Sequence, residues 1–200
     1  SYGLYIISTS YEGKSYGYVG NTVFQVTSSP PQIAISCHKE NVSTSMILKS
    51  RIFSVSVLRK ETDSSLIGRF GFMSGDSIDK FENINTIEAV TGAPVVTDDT
   101  VAWFDCEVVS ENDVGSHIII IGLIKDSGLL SDEAPLTYDY YREKYKMLSP
   151  VNSPTYIKKA VLEEEGFDES VKEDKEKDRK SGGGDETDIY TCSICGYRYN

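Results

Sequence analysis

The sequence predicts a mainly β domain, a barrel or sandwich of short strands carrying a few small helical decorations. Three observations point there: β-branched and aromatic runs recur between turn clusters rich in Gly and Pro, several of those runs alternate polar with apolar residues, and helical periodicity is scarce. In chain order the runs are residues 4–9, 22–26, 33–36, 52–58, 101–109 and 117–126. Ala102-Trp103-Phe104-Asp105-Cys106-Glu107-Val108 alternates, the mark of a strand with one wet face. Ile118-Ile119-Ile120-Ile121 is apolar throughout and predicts a strand buried on both faces, and Trp103 reads as core. One short helix is expected over 41–49, with Asn41 or Ser43 as N-cap and Met46 and Ile47 facing inward. Another is expected over 77–83, capped by Ser74 or Asp76.

The chain has 200 residues, room for one full domain and a small appendage. It carries 20 basic and 31 acidic side chains, a net charge of −11. That balance excludes a general nucleic-acid binder, because nothing supplies a phosphate-neutralising surface. No run approaches the roughly 20 apolar residues that span a bilayer, and no secretory signal pattern is present. The acidic surplus is local: residues 163–188 hold 12 Asp/Glu and 5 Lys/Arg, then Ser181-Gly182-Gly183-Gly184. Such a segment lacks the apolar groups to offset its ordering entropy and predicts a solvated tether. The expected organisation is therefore a β domain over 1–160, a charged and Gly-rich linker over 161–188, and the start of a second domain over 189–200.

That last segment holds Cys192-Ser193-Ile194-Cys195-Gly196. A C-x-x-C turn followed by Gly aims two thiolates at one tetrahedral ion while backbone N–H groups solvate the sulfurs. With its flanks, Tyr190-Thr191-Cys192-Ser193-Ile194-Cys195-Gly196-Tyr197 resembles the first knuckle of a rubredoxin, which implies half of an iron site at Cys192 and Cys195. A rubredoxin needs a second such pair, and none is in this sequence, so stable iron is expected only if that knuckle follows Asn200 in the native protein. Cys37 and Cys106 read as buried small apolar residues of the barrel.

The rest of the chain keeps a matching order of blocks. Asn21-Thr22-Val23-Phe24-Gln25-Val26-Thr27-Ser28-Ser29-Pro30-Pro31 precedes Ile33-Ala34-Ile35-Ser36-Cys37-His38-Lys39-Glu40-Asn41-Val42-Ser43-Thr44. Phe70-Gly71-Phe72-Met73-Ser74-Gly75, Ile78-Asp79-Lys80-Phe81, Val90-Thr91-Gly92-Ala93-Pro94, Val114-Gly115-Ser116-His117-Ile118 and Tyr138-Asp139-Tyr140-Tyr141-Arg142 follow. Together they resemble the flavin reductase-like FMN-binding split barrel, most of all the subgroup fused to a C-terminal rubredoxin, called high-molecular-weight rubredoxin. The resemblance implies an antiparallel split β-barrel of Greek-key type that binds FMN and forms a homodimer. It also implies flavin contacts from Asn21, Thr22, Gln25, Val26, Thr27 and Ser28.

The side chains suit such a ligand. Lys39 offers a cation, and Asn41, Ser43 and Thr44 offer donors at a helix N-terminus, a ready phosphate site. The family carries Asn where His38 stands and Tyr-Thr-His where Val42-Ser43-Thr44 stand, so a hydroxyl is kept at Ser43. His117 stands where related reductases carry a nicotinamide-side His; its alternative is a strand-end histidine bonded to a neighbouring carbonyl. Lys80 is a candidate to stabilise reduced flavin or a solvated helix lysine, and Met73 replaces a basic residue common in the family. Tyr138, Tyr140 and Tyr141 form either a wall for a flavin or packing between subunits. The function implied is hydride transfer from NAD(P)H to FMN, then single electrons to a rubredoxin iron and on to a partner such as a flavodiiron protein, in a reducing cytoplasm. The alternatives are a reductase that releases reduced FMN, or an FMN-binding electron relay driven by a protein partner.

Overall fold

A computed structural model describes residues 2–75 and 78–145, and the backbone of 190–191 and 198–199. Seven strands form one antiparallel sheet: β1 (Tyr5–Tyr11), β2 (Lys14–Gly20), β3 (Val23–Ser28), β4 (Pro31–His38), β5 (Ile52–Leu58), β8 (Thr100–Asp113) and β9 (His117–Leu129). Their spatial order is β2-β1-β5-β8-β9-β4-β3. The sheet curls until its ends meet, since the Tyr18 hydroxyl on β2 lies 2.9 Å from the Cys37 sulfur on β4. Strands β2 and β3 share no ladder, and only Asn21 and Thr22 link them, so the barrel is split along that seam. The expected split barrel is the fold observed.

Inside the barrel, Ile7, Ile33, Ile35, Cys37, Phe53, Val55, Cys106, Val108 and Ile120 form one core, plugged by Ile47 of helix α1 (Val42–Ser50). A second core lies outside, where Leu4, Ile6 and Leu58 meet α2 (Ser64–Phe72) and Tyr141 of α3 (Tyr138–Tyr145). A hairpin of β6 (Thr86–Glu88) and β7 (Pro94–Val96) covers the outer face of β1, β5 and β8. Polar bonds seam it down: Ser10 Oγ donates to Gly92 O at 2.8 Å, and Ser54 Oγ to Pro94 O at 2.6 Å. Cys37, Cys106 and Trp103 are buried, as expected, and burial pushes the Cys37 thiol up to about 12, which leaves it inert.

Two expectations are corrected. Residues 78–83 form turns and no helix: Asp79 accepts the Phe81 N–H at 2.9 Å, a local bond that competes with a helical one. The helix stands earlier, at α2, whose N-cap Asp63 accepts the Ser65 N–H at 2.8 Å. The four isoleucines of β9 are not buried on both faces. Ile120 is fully buried and Ile118 packs against the same inner core, whereas Ile119 and Ile121 point to the opposite face of the strand and stay half-buried.

A strand the sequence did not announce is β2, joined to β1 by the turn Glu12-Gly13 with φ of 49° and 73°. Positive φ at both turn residues matches the twist of the flanking strands. Gly17 interrupts β2 for a packing reason: a Cβ there would sit 3.0 Å from the Phe70 ring and 3.1 Å from Phe81. Strands β10 (Tyr190–Thr191) and β11 (Arg198–Tyr199) pair as a hairpin on either side of the C-x-x-C. Cys192 and Cys195 themselves, like the linker 161–188, lie outside the described residues. No helix among the described residues is long and apolar enough to cross a membrane.

Candidate functional site

A cavity of about 530 Å³ opens where the two cores meet, a size ordinary for a cofactor site. Its wall takes in the end of β2 with Asn21 and the start of α1. An aromatic part of the wall is built by Phe70 and Phe72 at the close of α2 and by Tyr138 and Tyr141 of α3.

The α1 end follows directly from sequence. Asn41 is the N-cap, its side chain accepting the Ser43 N–H at 3.0 Å, and Ser43 lines the cavity beside it. The first turn of a helix points N–H groups and positive dipole outward, so this end suits an anion. His38 lines the same end and accepts the Glu40 N–H on Nδ1 at 3.3 Å. Thr44 does not reach the cavity: its hydroxyl is buried and donates to His38 O at 2.9 Å.

Lys80 is placed very differently from a solvated helix lysine. Only 8 % exposed, it lines the cavity and donates to Gly17 O and to Phe70 O, both at 3.1 Å. No carboxylate pairs with it among the described residues, and burial lowers its pKa from the usual lysine value to about 8. The glycine at 17 and the last turn of α2 are what bring both carbonyls to the ammonium.

Of the expected contact residues, the cavity thus gathers Asn21, His38, Asn41, Ser43 and Lys80. Thr22 donates to Asn21 Oδ1 at 3.1 Å beside it. Gln25, Val26, Thr27 and Ser28 lie farther along the edge strand β3, which bulges between Gln25 and Thr27 and leaves Phe24 and Val26 exposed by 49 % and 44 %. Lys39 points away from the cavity into an exposed ion pair with Asp113 at 2.5 Å. His117 is not in the wall; its Nδ1 lies 2.8 Å from Ser116 Oγ and its ring packs edge-on against His38 at 5.0 Å, so it supports a residue that is.

Met73 is in the wall. Tyr138 and Tyr141 line the cavity with rings stacked at 6.2 Å, whereas Tyr140 turns outward to donate to Glu61 at 2.6 Å. The sequence did not single out Tyr18, Phe70 or Phe72 as wall residues. Phe70 and Phe72 were visible only as part of a Gly-punctuated apolar block. Chemically, the cavity offers an apolar aromatic slot, an anion-seeking helix end and one buried cation.

The flavin reductase like domain model matches residues 1–149. High molecular weight rubredoxin of Moorella thermoacetica is 36% identical over 200 residues, covering 100% of this chain and 80% of that protein. Ferric-chelate reductase (NAD(P)H) of Archaeoglobus fulgidus is 40% identical over 157 residues, 78% of this chain and 93% of its own length. Among solved structures, a homologue of nitrilotriacetate monooxygenase component B from Mycobacterium thermoresistibile superposes with a TM-score of 0.61 at 25% identity, covering 67% of this chain and 73% of that one.

Proposed function

This chain belongs to the flavin reductase like domain family, and from that premise we propose that it is an NAD(P)H oxidoreductase whose working group is FMN held in the cavity. One observation supports the reading most: an aromatic slot, a helix N-terminus and a buried, carboxylate-free ammonium share a single space of about 530 Å³. A flavin mononucleotide needs those three things, an apolar wall for its ring, donors for its phosphate and compensation for its negative charge. The residues present fit it.

When bound, FMN accepts two electrons as hydride and can pass them on one at a time. The chain's own part is positional. Ser43 and the N–H groups at the start of α1 would hold the phosphate, and Asn41 fixes that turn. Phe70, Phe72, Tyr138 and Tyr141 would flank the ring and exclude water from it. His38, backed by His117, would meet the nicotinamide at the rim.

Iron does not fit these 200 residues by themselves, because a rubredoxin centre takes four thiolates and Cys37 and Cys106 are buried in the barrel. Onward transfer is therefore proposed to a one-electron acceptor of rubredoxin type, completed by thiolates other than those of Cys37 and Cys106, with a flavodiiron protein as the redox partner after it. The kinship with high molecular weight rubredoxin supports that order. The exposed Phe24 and Val26 of β3, beside half-buried Ile119 and Ile121, support a homodimer. Free thiols at Cys37 and Cys106 and a metal-type C-x-x-C sequence suit a reducing cytoplasm.

The test is the purified full chain, loaded with FMN and mixed anaerobically with NADH or NADPH. Bleaching of the flavin absorbance within seconds is expected. Bound flavin that neither nucleotide reduces would make the protein a partner-driven relay, and release of reduced FMN on gel filtration would make it a supplier of free reduced flavin.

A further inference from the structure

Lys80 is the only buried lysine or arginine among the described residues. An ammonium has three N–H donors, and two are taken by neutral carbonyls, Gly17 O and Phe70 O. Carbonyl dipoles solvate the charge without cancelling it, and a cation out of water is costly until something negative joins it. Every other lysine with an ion pair among the described residues has a carboxylate on the surface: Lys39 has Asp113, Lys125 has Glu107 and Lys144 has Glu61. Glu40, the one acid in the cavity wall, is exposed and bonds elsewhere through its backbone.

We propose that Lys80 is the anion subsite of the cavity, its third N–H reserved for a negative charge that the bound flavin brings. The inference rests on the flavin reading above and assigns the residue that charge falls upon. Two parts of FMN could supply it. One is the phosphate. The other is the ring itself: hydride adds two electrons and one proton to a neutral ring, so one negative charge remains on it unless a second proton follows. Lys80 is bonded to the backbone of Phe70 and of Gly17, while Asn41 and Ser43 belong to the start of α1, so the wall offers two separate groups for the two charges.

The full chain and its Lys80→Met, Lys80→Gln and Lys80→Arg variants are stripped of flavin, checked by thermal melting, and titrated with FMN and with riboflavin. The midpoint potential of the bound flavin is measured by dye equilibration. If the phosphate is the partner, Lys80→Met weakens FMN at least tenfold and leaves riboflavin unchanged. If the reduced ring is the partner, oxidised FMN and riboflavin keep their affinities. The reduced form then loses at least tenfold relative to the oxidised one, about 30 mV for a two-electron couple. In either case Lys80→Arg stays near wild type. Affinities within twofold and an unmoved potential in Lys80→Met would overturn the proposal while the flavin reading stands. Should the Met variant fail to fold, Lys80→Gln against Lys80→Arg makes the same comparison. A wild-type chain that binds neither flavin would overturn both.

Discussion

Two buried charges in this molecule are treated in opposite ways. Asp105, on the outer face of β8 beneath the β6–β7 hairpin, is completely buried. Thr91 satisfies both its oxygens, the backbone N–H donating at 2.8 Å and the hydroxyl at 2.5 Å. Lys80 is buried almost as deeply, yet has two neutral acceptors and an adjoining cavity. A charge whose donors are all supplied by its own fold is a fastening. A charge left partly compensated beside an open space is prepared for something that arrives later. Burial alone does not separate the two roles; the count of matched partners does.

The difference can be broken by mutation. Asp105→Ala removes two charge-assisted bonds and strands the Thr91 N–H, at a cost of about 3 kcal/mol. Chemical denaturation should show that loss, and the melting temperature should fall by roughly 10 °C. Flavin affinity at a temperature where the variant is folded should not change. If FMN binding collapses with it, the hairpin side of the barrel is coupled to the cavity and the contrast fails.

Titration probes the other member of the pair. The pKa of Lys80 is lowered to about 8 in the folded chain, against an ordinary lysine value near 10.5 in the unfolded one. Between those limits the unfolded state holds more protons, so stability of the flavin-free protein rises with pH from about 8 towards 10.5. The rise amounts to a few kcal/mol, on the order of 1.4 per pKa unit. Lys80→Met should flatten it. Flavin affinity should run the other way as pH climbs past about 8 and the counter-charge is lost: FMN weakens in both redox states if that charge meets the phosphate, and only the reduced flavin weakens if it meets the ring. Other titratable groups in the cavity wall are Tyr18, His38, Glu40, Tyr138 and Tyr141. Burial holds Tyr18 well above the usual tyrosine range. A pH profile that survives in Lys80→Met does not come from Lys80. Thr91→Val, which deletes the hydroxyl and keeps the N–H, should cost less than Asp105→Ala, about 1.5 kcal/mol, with no change in this profile.

How much of this was legible beforehand depended on how local each cause was. The run at 52–58 became β5 over the same residues, and Asn41 capped its helix as its side-chain chemistry predicts. β2 was hidden because Gly17 and Gly20 look like turn residues. The reason for Gly17 is a ring, Phe70, that comes 53 positions later. The false helix at 77–83 came from Ser and Asp signals that turns and caps share. Lys80 was the hardest. Flanked by Asp79 and, after Phe81, by Glu82, it has the look of a surface residue, and its burial is decided by carbonyls contributed from β2 and α2.

The smallest effect tests the part of the cavity wall built by α1. Asn41→Ala removes the side-chain oxygen that accepts the Ser43 N–H at 3.0 Å. The ordinary cost of losing such a cap is about 1 kcal/mol of stability. On the proposed reading there is a second consequence, because the same turn presents Ser43 to the ligand's phosphate. FMN should therefore weaken several-fold while riboflavin, which has no phosphate, is held as before. The midpoint potential should stay where it was, since on this reading the α1 turn meets the phosphate and not the ring. If Asn41→Ala shifts the potential and spares the FMN–riboflavin difference, the two groups have been assigned the wrong way round, and Lys80 takes the phosphate.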